Sequence, residues 1–240
     1  MANGINSPFG LRAIGHTIGK ADNSVVKTFK INPAAGSIFA GDLVLLNTVL
    51  AAGGGTIVRY AYNTDGGAGD NASTITGVLD NVTYRDINNN VVNALGWLAG
   101  TNIYPNSVIE AQVIIDPYVE YEVQGSAWTN VLNDATIAKK RVGQNFGVGL
   151  GGGGNIVTNP AEGTLLNGSA MYLAKVFTAN PPANTVITLP LKLVGFSALQ
   201  GVDKQDDATE TTAVTSPYLN CRVIINNHFI KPGTLGIVAA

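Results

Sequence analysis

Two successive strand-like runs within Val108 to Gln124 constrain the fold more than any other part of this sequence. The first run spans Val108 to Ile115, the second spans Val119 to Gln124, and Asp116-Pro117 separates them. In the second run apolar and polar side chains alternate, in the order Val119, Glu120, Tyr121, Glu122, Val123 and Gln124. A period of two predicts a strand with one apolar and one polar face. Pro117 has no N–H for a sheet hydrogen bond, so it predicts the break between the two strands.

The composition extends this prediction to the whole chain. Charged residues make up 12% of its 240 residues, about half the usual share, and 29 residues are glycine. Short strands joined by many turns require such a composition. A chain of this length can bury a substantial core as one large β domain or two small ones.

Charge and cysteine counts exclude several classes of function. The formal net charge is −2, which gives no electrostatic footprint for nucleic acid or an anionic membrane. A single cysteine, Cys221, forms no intrachain disulfide, and among strand residues it is expected to be a small buried hydrophobe. The N-terminal residues lack the apolar core of a signal peptide, and the longest apolar stretch, Leu43 to Ala52, is too short to span a bilayer. We therefore expect a soluble chain made in a cytoplasm.

Further short runs along the chain are typical of strands. They are Val25 to Ile31, Leu43 to Leu46, Thr56 to Tyr62, Ser73 to Tyr84, Val91 to Ala99, Ala170 to Phe177, Val186 to Phe196 and Leu219 to Phe229. Gly77 is predicted to mark a bulge or a barrel corner. One short helix is predicted around Asn130 to Lys139. The sequence thus predicts an all-β fold, a β-barrel or jelly-roll-like sandwich body with extended N- and C-terminal arms.

The ends of the chain define the predicted domain organisation. Residues 1–20 have no strand period but contain spaced apolar side chains, which indicates an extended arm that lies on another surface. Residues 21–230 form the β body, and two β subdomains divided near residues 125–140 are an open alternative. Residues 231–240 form an apolar C-terminal tail. Because the arm has no strand period, the body is expected to fold without it.

No motif predicts a catalytic residue, a cofactor or a metal. Gly147 to Gly152 matches G-x-G-x-x-G but is not followed by a helical pattern, so a flexible loop is predicted. His16, His228 and Cys221 are too few and too distant in sequence for a shared zinc site. The acidic residues from Asp203 to Glu210 lack the spacing of a calcium loop, so they are interpreted as solvated.

One pair of carboxylates leaves an alternative open. Glu120 and Glu122 are two residues apart on one strand face, about 6–7 Å from each other. That separation is close to the range of glycosidase carboxylates, so the alternative is a hydrolase on a β scaffold. Any half-exposed strand shows the same alternation, and we therefore predict an exposed polar face.

Four short segments carry a resemblance to small head proteins of tailed bacteriophages. They are M-A-N…P-F-G-L-R…G-H at residues 1–16, D-P…E-V-Q at residues 116–124, V-G-Q-N at residues 142–145 and R-V-I-I-N-N-H at residues 222–228. Together they resemble a capsid decoration (cement) protein, loosely over nearly the whole chain. The glycine-rich segments Gly66 to Gly69 and Gly151 to Gly154 depart from the pattern.

The resemblance implies a non-enzymatic virion protein on the outer capsid surface, made in the host cytoplasm. Such a protein is a homotrimer that binds the major capsid protein and bridges neighbouring subunits, without nucleic acid, membrane or small-molecule substrate. The implied contacts lie in the arm, which would become ordered on the capsid. The candidate contact residues are Pro8, Phe9, Leu11, Arg12, Ile14, His16 and Ile18. The alternative is a tail or spike module that binds host glycan through exposed aromatic residues, for which Trp97 and Trp128 are available.

Overall fold

The computed structural model describes residues 9–17, 25–47, 55–60, 74–125, 142–150, 163–173, 189–197 and 220–233. These residues form 17 β-strands and, within the described ranges, no helix. The all-β prediction is confirmed. The short helix predicted around Asn130 to Lys139 lies outside the described residues.

The strands are short and are numbered along the chain from its N-terminus. They are β1 (Arg12–His16), β2 (Val26–Ile31), β3 (Ile38–Phe39), β4 (Leu43–Asn47), β5 (Thr56–Arg59), β6 (Gly77–Arg85), β7 (Val91–Ala94), β8 (Gly96–Trp97), β9 (Ile109–Ile114), β10 (Val119–Gln124), β11 (Asn145–Phe146), β12 (Val148–Leu150), β13 (Gly163–Thr164), β14 (Gly168–Ser169), β15 (Met171–Leu173), β16 (Leu191–Phe196) and β17 (Asn220–Ile225). Valine, isoleucine, leucine and aromatic residues fill most of them, as expected for side chains that pack on a pleated surface.

Five strands form a closed barrel, and a sixth strand, β7, is added to it. Their order is β4-β5-β2-β9-β6-β7, and β4 also pairs with β6, which closes the ring. Closure occurs where Val44 pairs with Gly77 and Leu43 pairs with Val78. A Cβ atom on Gly77 would lie 2.1 Å from the carbonyl oxygen of Ile114, so only glycine lets the backbones approach this closely. Gly77 thus lies where the barrel closes, whereas the register irregularity of β6 lies farther along the strand, between Leu79 and Asn81.

Five antiparallel strands form a second sheet, in the order β1-β10-β17-β16-β11. The chain crosses between barrel and sheet at the turn after β9, where Asp116 accepts a hydrogen bond from the backbone N–H of Tyr118 (2.9 Å). The strand break predicted at Asp116-Pro117 is therefore confirmed. The connection from β1 to β2 makes the same crossing, since His16 pairs with Val119 in the sheet and Val26 pairs with Ile114 in the barrel.

The two assemblies share their hydrophobic packing. One cluster fills the barrel and includes Ile57, Trp97 and Val113. The other lies under the five-stranded sheet and includes side chains from both assemblies, such as Ile114 of the barrel and Tyr121 of the sheet. In the described residues the crossing lies at Asp116-Pro117 and the packing is continuous across it. A division near residues 125–140 falls mostly outside the described residues and stays a prediction.

Glycine-rich residues 147–150 differ from the flexible loop that the sequence predicts. Val148–Leu150 forms β12 and pairs with β15, and Gly149 lies opposite Tyr172. A Cβ atom on Gly149 would lie 2.4 Å from the Tyr172 ring, so this glycine makes room for an aromatic side chain. Residues 151–154 lie outside the described ranges.

Cys221 is fully buried in the cluster under the five-stranded sheet, as predicted. Burial raises the pKa of its thiol, which disfavours the reactive thiolate. We expect a thiol reagent to label Cys221 in the native protein more slowly than an exposed cysteine, by a factor of roughly 10³ or more, because labelling has to await opening of the core. An Ala13→Cys variant provides the exposed comparison, since Ala13 lies on the surface of β1. Equal labelling rates of the two thiols would contradict the burial.

Candidate functional site at the edge of the five-stranded sheet

The N-terminal segment is the largest departure from the sequence prediction. Residues 12–16, predicted as part of an arm outside the body, form β1 and pair with β10. Leu11 is 4% exposed and belongs to the hydrophobic cluster under the sheet. The alternation that a strand normally shows is absent from this segment because the register shifts between Ala13 and Gly15. There an irregularity of the bulge type interrupts the period of two. Residues 9–17 of the predicted arm thus belong to the body, and Arg12–His16 forms an edge strand of its sheet.

Five of the seven candidate contact residues lie along this edge. Phe9 and His16 are half-buried, Leu11 is buried, and Arg12 and Ile14 are exposed. Leu11 fills the chain's own core, which corrects its assignment as a contact residue. Pro8 and Ile18 lie outside the described residues, as do residues 234–240 of the predicted tail.

Arg12 connects the exposed edge to a buried carboxylate. Its guanidinium bonds to Glu122, whose side chain is 3% exposed, while the side chain of Arg12 is 64% exposed. The guanidinium also lies over the ring of Phe9, 5.4 Å from the centroid. A carboxylate removed from water needs such a partner, because an uncompensated buried charge is strongly destabilising. Arg12 therefore fixes β1 to the sheet as well as presenting a cation at its edge.

A second arginine covers the other glutamate of β10. Arg222 bonds to Glu120, and this hydrogen bond raises the pKa of the Arg222 guanidinium. Arg12, Glu122 and Arg222 occupy one cross-strand row of three neighbouring strands. The predicted exposed polar face is therefore wrong, since Glu120 is 8% and Glu122 is 2% exposed. The cause is the pair of arginines, which lie far away in sequence.

These ion pairs also argue against the hydrolase alternative. Glycoside hydrolysis needs one protonated carboxyl group and one carboxylate that both reach the substrate. Here each glutamate accepts a bond from an arginine and is nearly covered, so both act in holding strands together. Within the described residues, no group of three histidine, cysteine, aspartate or glutamate side chains is arranged to hold a metal ion.

A histidine–aspartate pair fixes the end of β1. Nε2 of His16 lies 3.1 Å from a carboxylate oxygen of Asp116 at the crossing turn. The backbone N–H of Thr17 donates to the carbonyl of Tyr118 (2.9 Å), and the two rings of His16 and Tyr118 are 6.1 Å apart. The strand is thus attached where the chain enters the barrel.

A buried polar cluster fixes the start of β1. Asp42 is fully buried and accepts hydrogen bonds from the Ser169 hydroxyl and from the backbone N–H of Phe39. Gly10 lies directly on this pair, because a Cβ atom there would be 2.5 Å from Cβ of Ser169. The N–H of Leu11 then donates to the carbonyl of Gly41 (2.9 Å). The sequence reasoning missed this cluster. Its only local signal is the presence of Gly10 and Gly41, which allow the close packing.

Within the described residues, the tryptophans named for a glycan-binding face give that alternative no support. Trp97 is 1% exposed and packs edge-on against Tyr84 in the barrel core. Trp128 lies outside the described residues. In the described part of the chain, no helix has the length and apolar character needed to cross a membrane.

Comparison with known proteins gives no relative for this chain: no family model, no curated protein and no solved structure matches it.

Proposed function

We propose that this chain is a capsid decoration protein, which binds the outer surface of a tailed-bacteriophage capsid and braces neighbouring major capsid protein subunits. The four quoted segments support this proposal, and so does an all-β body whose five-stranded sheet is held together by ion pairs to buried glutamates. The observation that carries it is the edge strand β1, which presents Arg12, Ala13 and Ile14 outward. A role in the virion requires no catalytic residue.

The folded edge strand changes how attachment would work. Ordering of free chain costs roughly 1–2 kcal/mol per residue in backbone entropy. Because residues 9–17 already belong to the body, binding would not bear that cost for this segment. Among the described strands none pairs with the outer edge of β1, so a partner strand or loop has access to its backbone groups.

The size of the edge favours attachment by several copies at once. β1 has five residues, and a strand of that length spans about 17 Å. A stable interface covers about 800 Å² on each partner, more than one short edge supplies. A homotrimer that places three such edges on adjacent capsid subunits would gain affinity through multivalency. We therefore include the homotrimer in the proposal.

Substitution of Ile14 tests the proposed contact. Ile14 is 43% exposed on β1, and Ile14→Asp would place a charge in the contact, so we expect at least a tenfold loss of affinity for expanded capsids assembled without this protein. The matched control is Ile87→Asp, because Ile87 is 57% exposed on the β6–β7 hairpin of the barrel. Cosedimentation at several protein concentrations measures both affinities. Full binding of Ile14→Asp, or equal loss in both variants, would contradict a contact through β1.

A further inference from the structure

His228 is a buried histidine at the joint between the five-stranded sheet and the barrel. It is 1% exposed and follows the last strand, β17, by three residues. The backbone N–H of Ile75 donates to the carbonyl of Asn227 (2.8 Å), and the N–H of Phe229 donates to the carbonyl of Ile75 (2.9 Å). Because Ile75 leads into β6, these bonds attach the segment after the sheet to the entrance of the barrel.

The two ring nitrogens of His228 have opposite roles. Nε2 lies 3.0 Å from the carbonyl oxygen of Thr76, which only accepts, so Nε2 carries the proton. Nδ1 accepts the backbone N–H of Ile230 at 3.2 Å, so Nδ1 carries none. The closed arrangement therefore requires the neutral imidazole.

The surroundings of the ring oppose its protonation. Burial is the largest influence and lowers the pKa of His228. Of the charged groups that face the ring, Lys231 lowers the pKa further, whereas Asp116 raises it, as does the bond to Thr76. Asp116 is also bonded to His16, the only other histidine of the chain.

We propose that the turn from His228 to Lys231 is an acid-released latch, which is closed when it is bonded to Ile75 and Thr76 and open when these bonds are broken. Protonation of Nδ1 replaces an acceptor with a donor that faces the N–H of Ile230, so the bond between them is lost. The turn, which is closed by reciprocal backbone bonds between His228 and Lys231, then separates from Ile75 and Thr76. Phe229 and Ile230, already 45% and 59% exposed, become accessible on their remaining sides.

Proton binding sets the direction of the response. The closed latch holds His228 neutral, whereas the open latch gives it an ordinary pKa of about 6.5. Below that pH the open form binds more protons, so the opening equilibrium constant rises as the pH falls. The rise is up to about tenfold per pH unit and ends at the lower pKa of the closed form. Above about pH 7 the latch is insensitive to pH.

Hydrogen exchange with mass spectrometry tests the latch on the full chain. We expect peptides covering residues 226–233 and 74–78 to lose protection between about pH 7.5 and 5.5, after correction for the intrinsic exchange rate, by roughly tenfold. Peptides covering β9 and β10 should keep their protection. Loss of protection throughout the chain would overturn the proposal. Unchanged protection in both latch peptides would overturn it as well.

Two variants distinguish the contribution of His228 to the pH response from that of His16. His228→Gln keeps a donor for Thr76 and removes the titration, so its latch peptides should exchange alike at both pH values. His16→Gln removes the other histidine and should retain the full response of the latch. An unchanged response in His228→Gln would overturn the proposal. If that variant does not fold, nuclear magnetic resonance of the wild-type ring decides, since a proton on Nδ1 at neutral pH would also overturn it.

Discussion

A protein that begins at Ala21 is expected to lose most of its stability. It lacks β1, so Leu11 no longer fills the core and Glu122 stays covered without Arg12. Loss of a buried leucine side chain costs about 2–5 kcal/mol. Breaking a buried ion pair costs about 3–5 kcal/mol, and less here because Arg12 is mostly exposed. The sum is comparable to the whole stability of a typical domain, about 5–15 kcal/mol.

Thermal melting followed by circular dichroism checks this expectation. The single variant Leu11→Ala should lose about 2–5 kcal/mol, which corresponds to a fall of roughly 5–20 °C in Tm for a chain of this size. Ile14→Ala is the matched control on the same strand, and with a 43% exposed side chain it should change the stability little. A truncated protein that melts like the full chain would show that β1 contributes nothing to the body.

Asp42→Ala is the second substitution with a large expected effect. Asp42 is fully buried, and its removal leaves the N–H of Phe39 and the hydroxyl of Ser169 without their acceptor. Each of the two buried donors left unsatisfied costs about 1–3 kcal/mol, so we expect a loss of about 2–6 kcal/mol. The effect should spread to the start of β1, because Gly10 packs directly on Ser169.

Denaturant unfolding measures this loss, and Asp80→Ala provides the control. Asp80 is exposed on β6 and contacts only its neighbour Asn81 among the described bonds, so its replacement should be nearly neutral. Similar losses in the two variants would contradict a special role for the buried cluster around Asp42.

Local pattern was sufficient to predict the strands that make up most of the fold. Alternation in Val119 to Gln124 and Pro117 predicted β10 and the strand break before it, because both depend on near neighbours in sequence. Gly77 was predicted on the same basis to mark a bulge or a barrel corner. The structure shows that glycine is needed there because the Ile114 carbonyl approaches it closely.

The covered polar face could not be predicted in this way. Alternation places Glu120 and Glu122 on the face opposite the core, but it does not reveal what lies over that face. The covering arginines come from positions 12 and 222, about a hundred residues away in either direction. Only the pairing of β1 and β17 with β10 brings them there.

The edge strand was missed for a different reason. An irregular register in β1 removes the period that sequence analysis depends on, so spaced apolar residues were interpreted as an arm. The bond between Ser169 and Asp42 likewise joins residues 127 positions apart, and no local pattern indicates it. The candidate contact residues stay a prediction, and the structure corrects the conformation of their segment from an arm to an edge strand.

Electron cryomicroscopy of capsids with and without the purified protein tests the proposed function most directly. We expect added density on the outer surface of the expanded shell, in groups of three, with β1 facing the major capsid protein. The same preparation with Ile14→Asp should show little or none of that density. Shells that look identical with and without the wild-type protein at saturating concentration would contradict a decoration role.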